Sequence, residues 1–132
     1  MDPLVLEITQ NFDREFALYK ANDKNGLFHQ YFQKKGINST RILPTKDQSI
    51  AVGIQPNGTS VDGEAIVQYF NKTVYVGTLL NGERHGYGWR TYLNSELIYE
   101  GEYKKNMKCG KGKLFSPSRK MWVFEGLWDK DV

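Results

Sequence analysis

The residues that could carry chemistry in this chain are few and scattered. Gly86-Tyr-Gly88 and Gly110-Lys-Gly112 have the outline of phosphate-cradling loops. A nucleotide loop, however, opens a helix and runs on to a third glycine or to Lys-Ser/Thr, and neither segment does. Cys109 is the single cysteine, so no internal disulfide can form. Together with His29 and His85, at unrelated positions, it cannot supply the paired spacing of a zinc site. No triad, metal cluster or cofactor fingerprint emerges, and the expectation is a protein that is not an enzyme and needs no cofactor.

What remains is charge beside aromatic rings. The chain has 132 residues and a net charge of +3, too small an excess to announce nucleic acid. The charge is uneven: Lys104, Lys105, Lys108, Lys111, Lys113, Arg119 and Lys120 stand against only Glu100 and Glu102 between Tyr99 and Val123. Alternation along a strand places Lys111 and Lys113 on the face opposite Gly112, beside the positions that Tyr87 and Trp89 take upstream. Lys104, Lys105, Lys108, Lys111 and Lys113 with Tyr87 and Trp89 therefore form a candidate surface for an acidic protein segment or an anionic lipid headgroup.

These residues are positioned by a repeat. Tyr75-Val-Gly77 leads to Gly86-Tyr-Gly88, and 24 residues later Tyr99-Glu-Gly101 leads to Gly110-Lys-Gly112 at the same offsets. Phe124-Glu-Gly126-Leu-Trp128 opens a third unit that is cut short. Ala51-Val-Gly53 with Asn57-Gly58 reads as a worn first unit. Cys109 fills the slot held by His85, and Glu100, Glu102 and Glu125 follow the aromatic openings, so repetition explains them without catalysis. Units of this length cannot bury an apolar face alone and must stack on their neighbours. Asn-Gly between apolar segments is the strongest short hairpin signal. It occurs at Asn57-Gly58 and Asn81-Gly82, so each unit is expected to be a hairpin in one continuous antiparallel sheet. Tyr75, Gly77 and Leu79, then Tyr99, Gly101 and Tyr103, then Phe124, Gly126 and Trp128 share one face. The strand glycines are read as sites where an aromatic ring of the adjacent unit lies on bare backbone.

The spaced glycines and the aromatic-x-Gly openings resemble the MORN repeat (membrane occupation and recognition nexus). The resemblance covers about the last 60 residues. It departs from the family pattern at Leu79 and Tyr103, where Trp is favoured, and at Lys105-Asn106-Met107, where the turn lacks glycine. It implies a scaffold in a cytoskeletal, ciliary or membrane-associated assembly. Alternatives are a peripheral binder of anionic lipid through the Lys104 to Lys113 patch, and an accessory regulator of an enzyme on another chain.

The N-terminal part reads differently. Asp2-Pro3 is a helix entry, and Val5, Ile8, Phe12, Phe16 and Tyr19 recur at helical spacing to Lys20. Leu27, Phe28, Tyr31 and Phe32 form the face of a second helix closed by Lys34-Lys35-Gly36. The fold class is therefore α+β, with an N-terminal helical hairpin and connector (1–48) capping an antiparallel sheet of stacked MORN hairpins (49–132). The sheet would hold one degenerate, two clear and one truncated repeat. The hairpin is expected over the open N-terminal end of the sheet, and 37–48 as plain connector. No apolar run approaches a membrane span and the Met-Asp-Pro start lacks signal-peptide character, so a cytoplasmic location is expected, with cytoskeletal or ciliary association. Met121 to Trp128 should be an edge strand, with Phe124 and Trp128 facing the core. Val123, Phe124 and Trp128 are the expected contact of a protein partner or a second copy, the helical hairpin being the other candidate surface; no nucleic acid is expected.

Overall fold

The computed structural model describes residues 1–43, 45, 49–54, 62–92 and 96–132. Helices α1 (Pro3–Gln10), α2 (Phe12–Lys20) and α3 (Leu27–Lys34) precede strands β1 (Arg41–Leu43), β2 (Ile50–Gly53), β3 (Gly63–Gln68), β4 (Val74–Leu80), β5 (Glu83–Tyr92), β6 (Leu97–Lys104), β7 (Met107–Ser116) and β8 (Met121–Trp128). The strands form a single antiparallel meander in chain order. The α+β class and the stacked hairpins follow the sequence pattern. The Asn57-Gly58 turn and Pro44 lie outside the described residues.

Two N-terminal expectations are corrected. The periodicity from Pro3 to Lys20 predicts one helix, yet the chain breaks at Asn11, whose φ and ψ are −133° and 37°. Its side-chain amide donates to the Glu7 carbonyl and carboxylate, a local alternative to helical bonding. Arg41–Leu43, read as connector, is instead a strand paired with β2.

The cap is built as the sequence suggests at its ends. Asp2 Oδ1 accepts from the Leu4 and Val5 amides, and Gly36 has the positive φ of a helix stop. One cap was not legible: buried Glu15 on α2 accepts the Leu27 amide at 2.8 Å, placing a carboxylate at the N-terminus of α3. The helices lie on a face of the sheet rather than over its N-terminal edge. Val5, Ile8, Phe12, Phe28 and Phe32 form one core with Val52, Ile66, Val76, Trp89, Ile98 and Phe115. The Tyr31 hydroxyl donates to Glu64 on β3 at 2.6 Å, and Tyr19 bonds Thr40.

The opposite face carries the repeat. Tyr75, Leu79, Tyr99 and Tyr103 form a second core with Leu43, Ala51, Ala65 and Val67. The glycine pairs Gly77/Gly88 and Gly101/Gly112 sit directly across the hairpins. A Cβ on Gly88 would meet the Tyr75 ring, and one on Gly112 the Tyr99 ring, each with ring carbons at 2.6 Å. The ring that needs the glycine thus belongs to the same unit, not to the adjacent one. It folds along its own strand, and its hydroxyl donates to the carbonyl three residues on, Thr78 or Glu102.

The turns keep one geometry without keeping glycine. Asn81/Gly82, Lys105/Asn106 and Lys130/Asp131 all have positive φ at both positions, as a type I′ turn requires. Where glycine is missing, a side chain compensates by stapling neighbouring units. Asn106 Oδ1 accepts the Arg84 amide and Asp131 Oδ1 the Lys108 amide, both at 2.7 Å, while the amides of Asn106 and Asp131 bond back to the Arg84 and Lys108 carbonyls.

Candidate interaction surfaces

Strand register sorts the charges between the two faces. Glu64, Glu83, Glu100, Glu102 and Glu125 stand on the face that carries the helices, as do Lys104, Lys111 and Lys113. The glycine face carries Arg41, Arg84, Arg90 and Lys108, and no carboxylate among the described strand residues. The expected lysine surface is therefore split. Lys108 leaves it for the glycine face, and Lys105 sits in the exposed turn beside Lys104. Lys104, Lys105 and Lys130, with Asp129, Met107 and Cys109, line a hollow of about 420 Å³.

On the helix face, Tyr87 and Trp89 do stand beside Lys113, joined by Glu100, a residue that repetition alone explained in the sequence. Glu100 accepts the Tyr87 hydroxyl and the Trp89 indole N–H, each at 2.6 Å. The Lys113 ammonium lies 3.9 Å from the same carboxylate and 4.1 Å from the Trp122 ring centroid. The Tyr87 hydroxyl is pushed above its ordinary pKa by burial and by the Glu100 bond, so it stays a donor. The signal for Glu100 was its cross-strand register opposite Trp89, which only pairing reveals.

The glycine face holds a run of alternating cations and rings. Arg84 and Arg90 both lie over the Tyr69 ring, at 5.2 and 4.8 Å. Arg90 also faces Tyr92, and Lys108 lies over Tyr92 at 4.6 Å and Trp128 at 4.3 Å. Arg84 Nη2 bonds the Asn106 carbonyl and Arg90 Nη2 the Thr73 hydroxyl, but the Nε of both is buried without a hydrogen-bond partner. Two guanidinium groups on one ring are at most about 10 Å apart, where unit charges repel by about 1.7 kcal/mol at an effective dielectric of about 20. The buried hydroxyls of Tyr75, Tyr99 and Tyr103 are held above their ordinary pKa chiefly by desolvation, so these three stay neutral beside the row.

The third surface is the edge. Met121–Trp128 is the last strand of the sheet, as its sequence suggests, with Trp128 donating its indole N–H to the Gly112 carbonyl at 3.3 Å. Phe124 is on the expected face but 40% exposed, a correction to its reading as core. Met121, Val123 and Leu127 are exposed as well. The pairing slips at Leu114/Phe115, leaving Val123 as the extra residue of a bulge, so the regular part of the free edge is Phe124–Trp128.

Away from the sheet, a hollow of about 430 Å³ lies between α2, α3 and residues 37–42. His29 lines it, stacked on Tyr19, its pKa lowered by desolvation and then by Lys24. Among the described residues no group of His, Cys, Asp and Glu could hold a metal ion, and no helix is long and apolar enough to cross a membrane.

A meander of hairpins with two-residue turns, and a tyrosine-over-glycine lock in the units that open at Tyr75 and Tyr99, defines a β-hairpin repeat. The repeat itself is identified by family comparison: the MORN repeat model matches residues 75–95 and 99–120. Those two segments of the chain are MORN repeats, and MORN repeats are generally non-catalytic and associated with protein or membrane interactions. No curated protein matches the chain.

Proposed function

We propose that the protein is a non-catalytic adaptor that binds a protein partner, or a second copy, by strand addition at β8. The observation that carries this is the contrast between the two edges of the sheet. Protein edges are blunted by short strands, proline, charge or bulges. At one end β1 has 3 residues; at the other β8 has 8, with exposed Phe124 and Leu127 and only Glu125 as a mid-strand charge. The bulge at Val123 blunts the start of β8 but leaves Phe124–Trp128 regular. Main-chain bonds to such an edge supply affinity, and the alternate side chains supply specificity. The repeat class supports placing this adaptor in a cytoskeletal, ciliary or membrane-associated assembly.

The test uses two neighbouring prolines, Glu125→Pro and Gly126→Pro. Adjacent amides of an extended strand point to opposite edges, so one variant loses a bond to β7 and the other loses the outer donor. The variant that keeps the wild-type melting temperature should lose self-association in sedimentation velocity, or the partner in affinity capture with mass spectrometry. A second reading, binding to anionic membranes, is favoured by the exposed Lys104, Lys105 and Lys130 at adjoining turn tips. Each such lysine is worth about 1 kcal/mol at an acidic surface. Replacing all three by glutamine should then abolish sedimentation with acidic vesicles, and a wild-type protein that ignores the vesicles removes that reading.

A further inference from the structure

The glycine face carries a row of cations and rings without a strand carboxylate among the described residues, and that chemistry points to its occupant. Arg84, Tyr69, Arg90, Tyr92, Lys108 and Trp128 follow one another by cation-over-ring contacts of 4.3–5.6 Å. They belong to β5, β7, β8 and the turn after β3, so the row runs across the strands along the length of the sheet. No strand carboxylate among the described residues shares that face. The Asp131 carboxylate, at the turn, already accepts the Lys108 amide. The cations are partly exposed, and the helices cover the other face.

We infer that this row binds an acidic peptide segment of a partner protein, its carboxylates meeting Arg84, Arg90 and Lys108 and its apolar side chains meeting Tyr92 and Trp128. A linear row of like charges separated by rings matches a linear polyanion with apolar spacing. Charge complementarity of this kind fixes register and speeds encounter. Among polyanions the rings select against nucleic acid. Base recognition on a sheet needs free aromatic faces, and here every ring of the row already has a cation over it: Arg84 and Arg90 on Tyr69, Arg90 and Lys108 on Tyr92, and Lys108 on Trp128. The inference stands on a different surface from the β8 edge and does not depend on it.

The test is titration of the full chain with a fluorescent peptide of alternating glutamate and leucine, at low and at physiological salt. Binding should weaken with salt, and Arg90→Gln and Lys108→Gln should each weaken it about fivefold, with Lys108→Arg restoring it. Bound peptide should also shift the Trp128 indole N–H resonance. The charge-matched control Lys24→Gln/Lys120→Gln, at exposed positions remote from the row, should bind as the wild type does. Lys108→Gln guards against misfolding of the arginine variant, because this side chain makes no hydrogen bond in the turn staple, where only its backbone takes part. The inference is overturned if the folded wild type ignores the peptide at low salt, or if Lys108→Gln binds it undiminished. It is also overturned if a single-stranded oligonucleotide or acidic vesicles bind through Lys108 and the peptide does not.

Discussion

The unit that opens at Tyr99 and the unit that opens at Phe124 begin with the same pattern and end in different states. Tyr99 is fully buried, its ring lies over Gly112 with its hydroxyl against Gly101, and that hydroxyl holds the Glu102 carbonyl. Phe124 lies over Gly126 alone, lacks a hydroxyl, and is 40% exposed. One residue further on, Glu100 organises two aromatic donors and a lysine, whereas Glu125 is exposed. The difference is one strand. A MORN unit reaches its packed state only when the return strand arrives with the second glycine, and β8 has no such strand among the described residues. This is why an edge that looks like a repeat opening is also an edge able to accept another chain.

The comparison is broken or sharpened most strongly at the glycines. In Gly101→Val the new Cβ would stand 2.6 Å from the Gly112 Cα, the Lys111 carbonyl and the Tyr99 hydroxyl, two of them backbone atoms that cannot move aside. A loss of about 3 kcal/mol is expected in thermal or urea unfolding. Gly126→Val meets only the exposed Phe124 ring, at 2.9 Å, which can swing away, so its melting temperature should stay near wild type. Equal losses at both positions would erase the distinction between the units.

Glu100→Gln is next. It leaves one carbonyl oxygen and an unwanted amide donor facing the Tyr87 hydroxyl and the Trp89 N–H, at a cost of about 2 kcal/mol. Glu125→Gln should be neutral by the same unfolding measurement. Smaller still is Tyr99→Phe, expected to cost about 1 kcal/mol through the orphaned Glu102 carbonyl. The reverse exchange, Phe124→Tyr, should change stability by less than about 0.5 kcal/mol.

Much of this architecture was legible before any coordinates. The aromatic and glycine spacing announced the hairpins, the shared face of Tyr75, Tyr99 and Phe124, and the strand from Met121 to Trp128, because repetition shows the same local solution more than once. The Lys105/Asn106 turn looked defective for want of glycine, since its support comes from Arg84 in the preceding unit, a contact invisible in local sequence. The cap's position failed in the same way. Amphipathic periodicity shows that α1 and α3 must bury a face, but not which surface receives it. Of the candidate surfaces, the lysine count was plain while its division between faces depended on register. The row of Arg84, Arg90 and Lys108 went unseen because its members are far apart in sequence and belong to different units. Strand alternation nonetheless places Arg84 and Arg90 on the face of Gly88, and Lys108 on that of Gly112.

The central claim, that β8 is an unfinished edge which another strand completes, is tested most directly by amide hydrogen exchange across β8. In dilute monomer the outward amides of Phe124–Trp128 should exchange rapidly while those facing β7 are protected. Raising the protein concentration, or adding the captured partner, should protect the outward set, and the proline variant that deletes the outer donor should abolish the gain. Outward amides that exchange at one unchanged rate with and without the bound partner would contradict the claim.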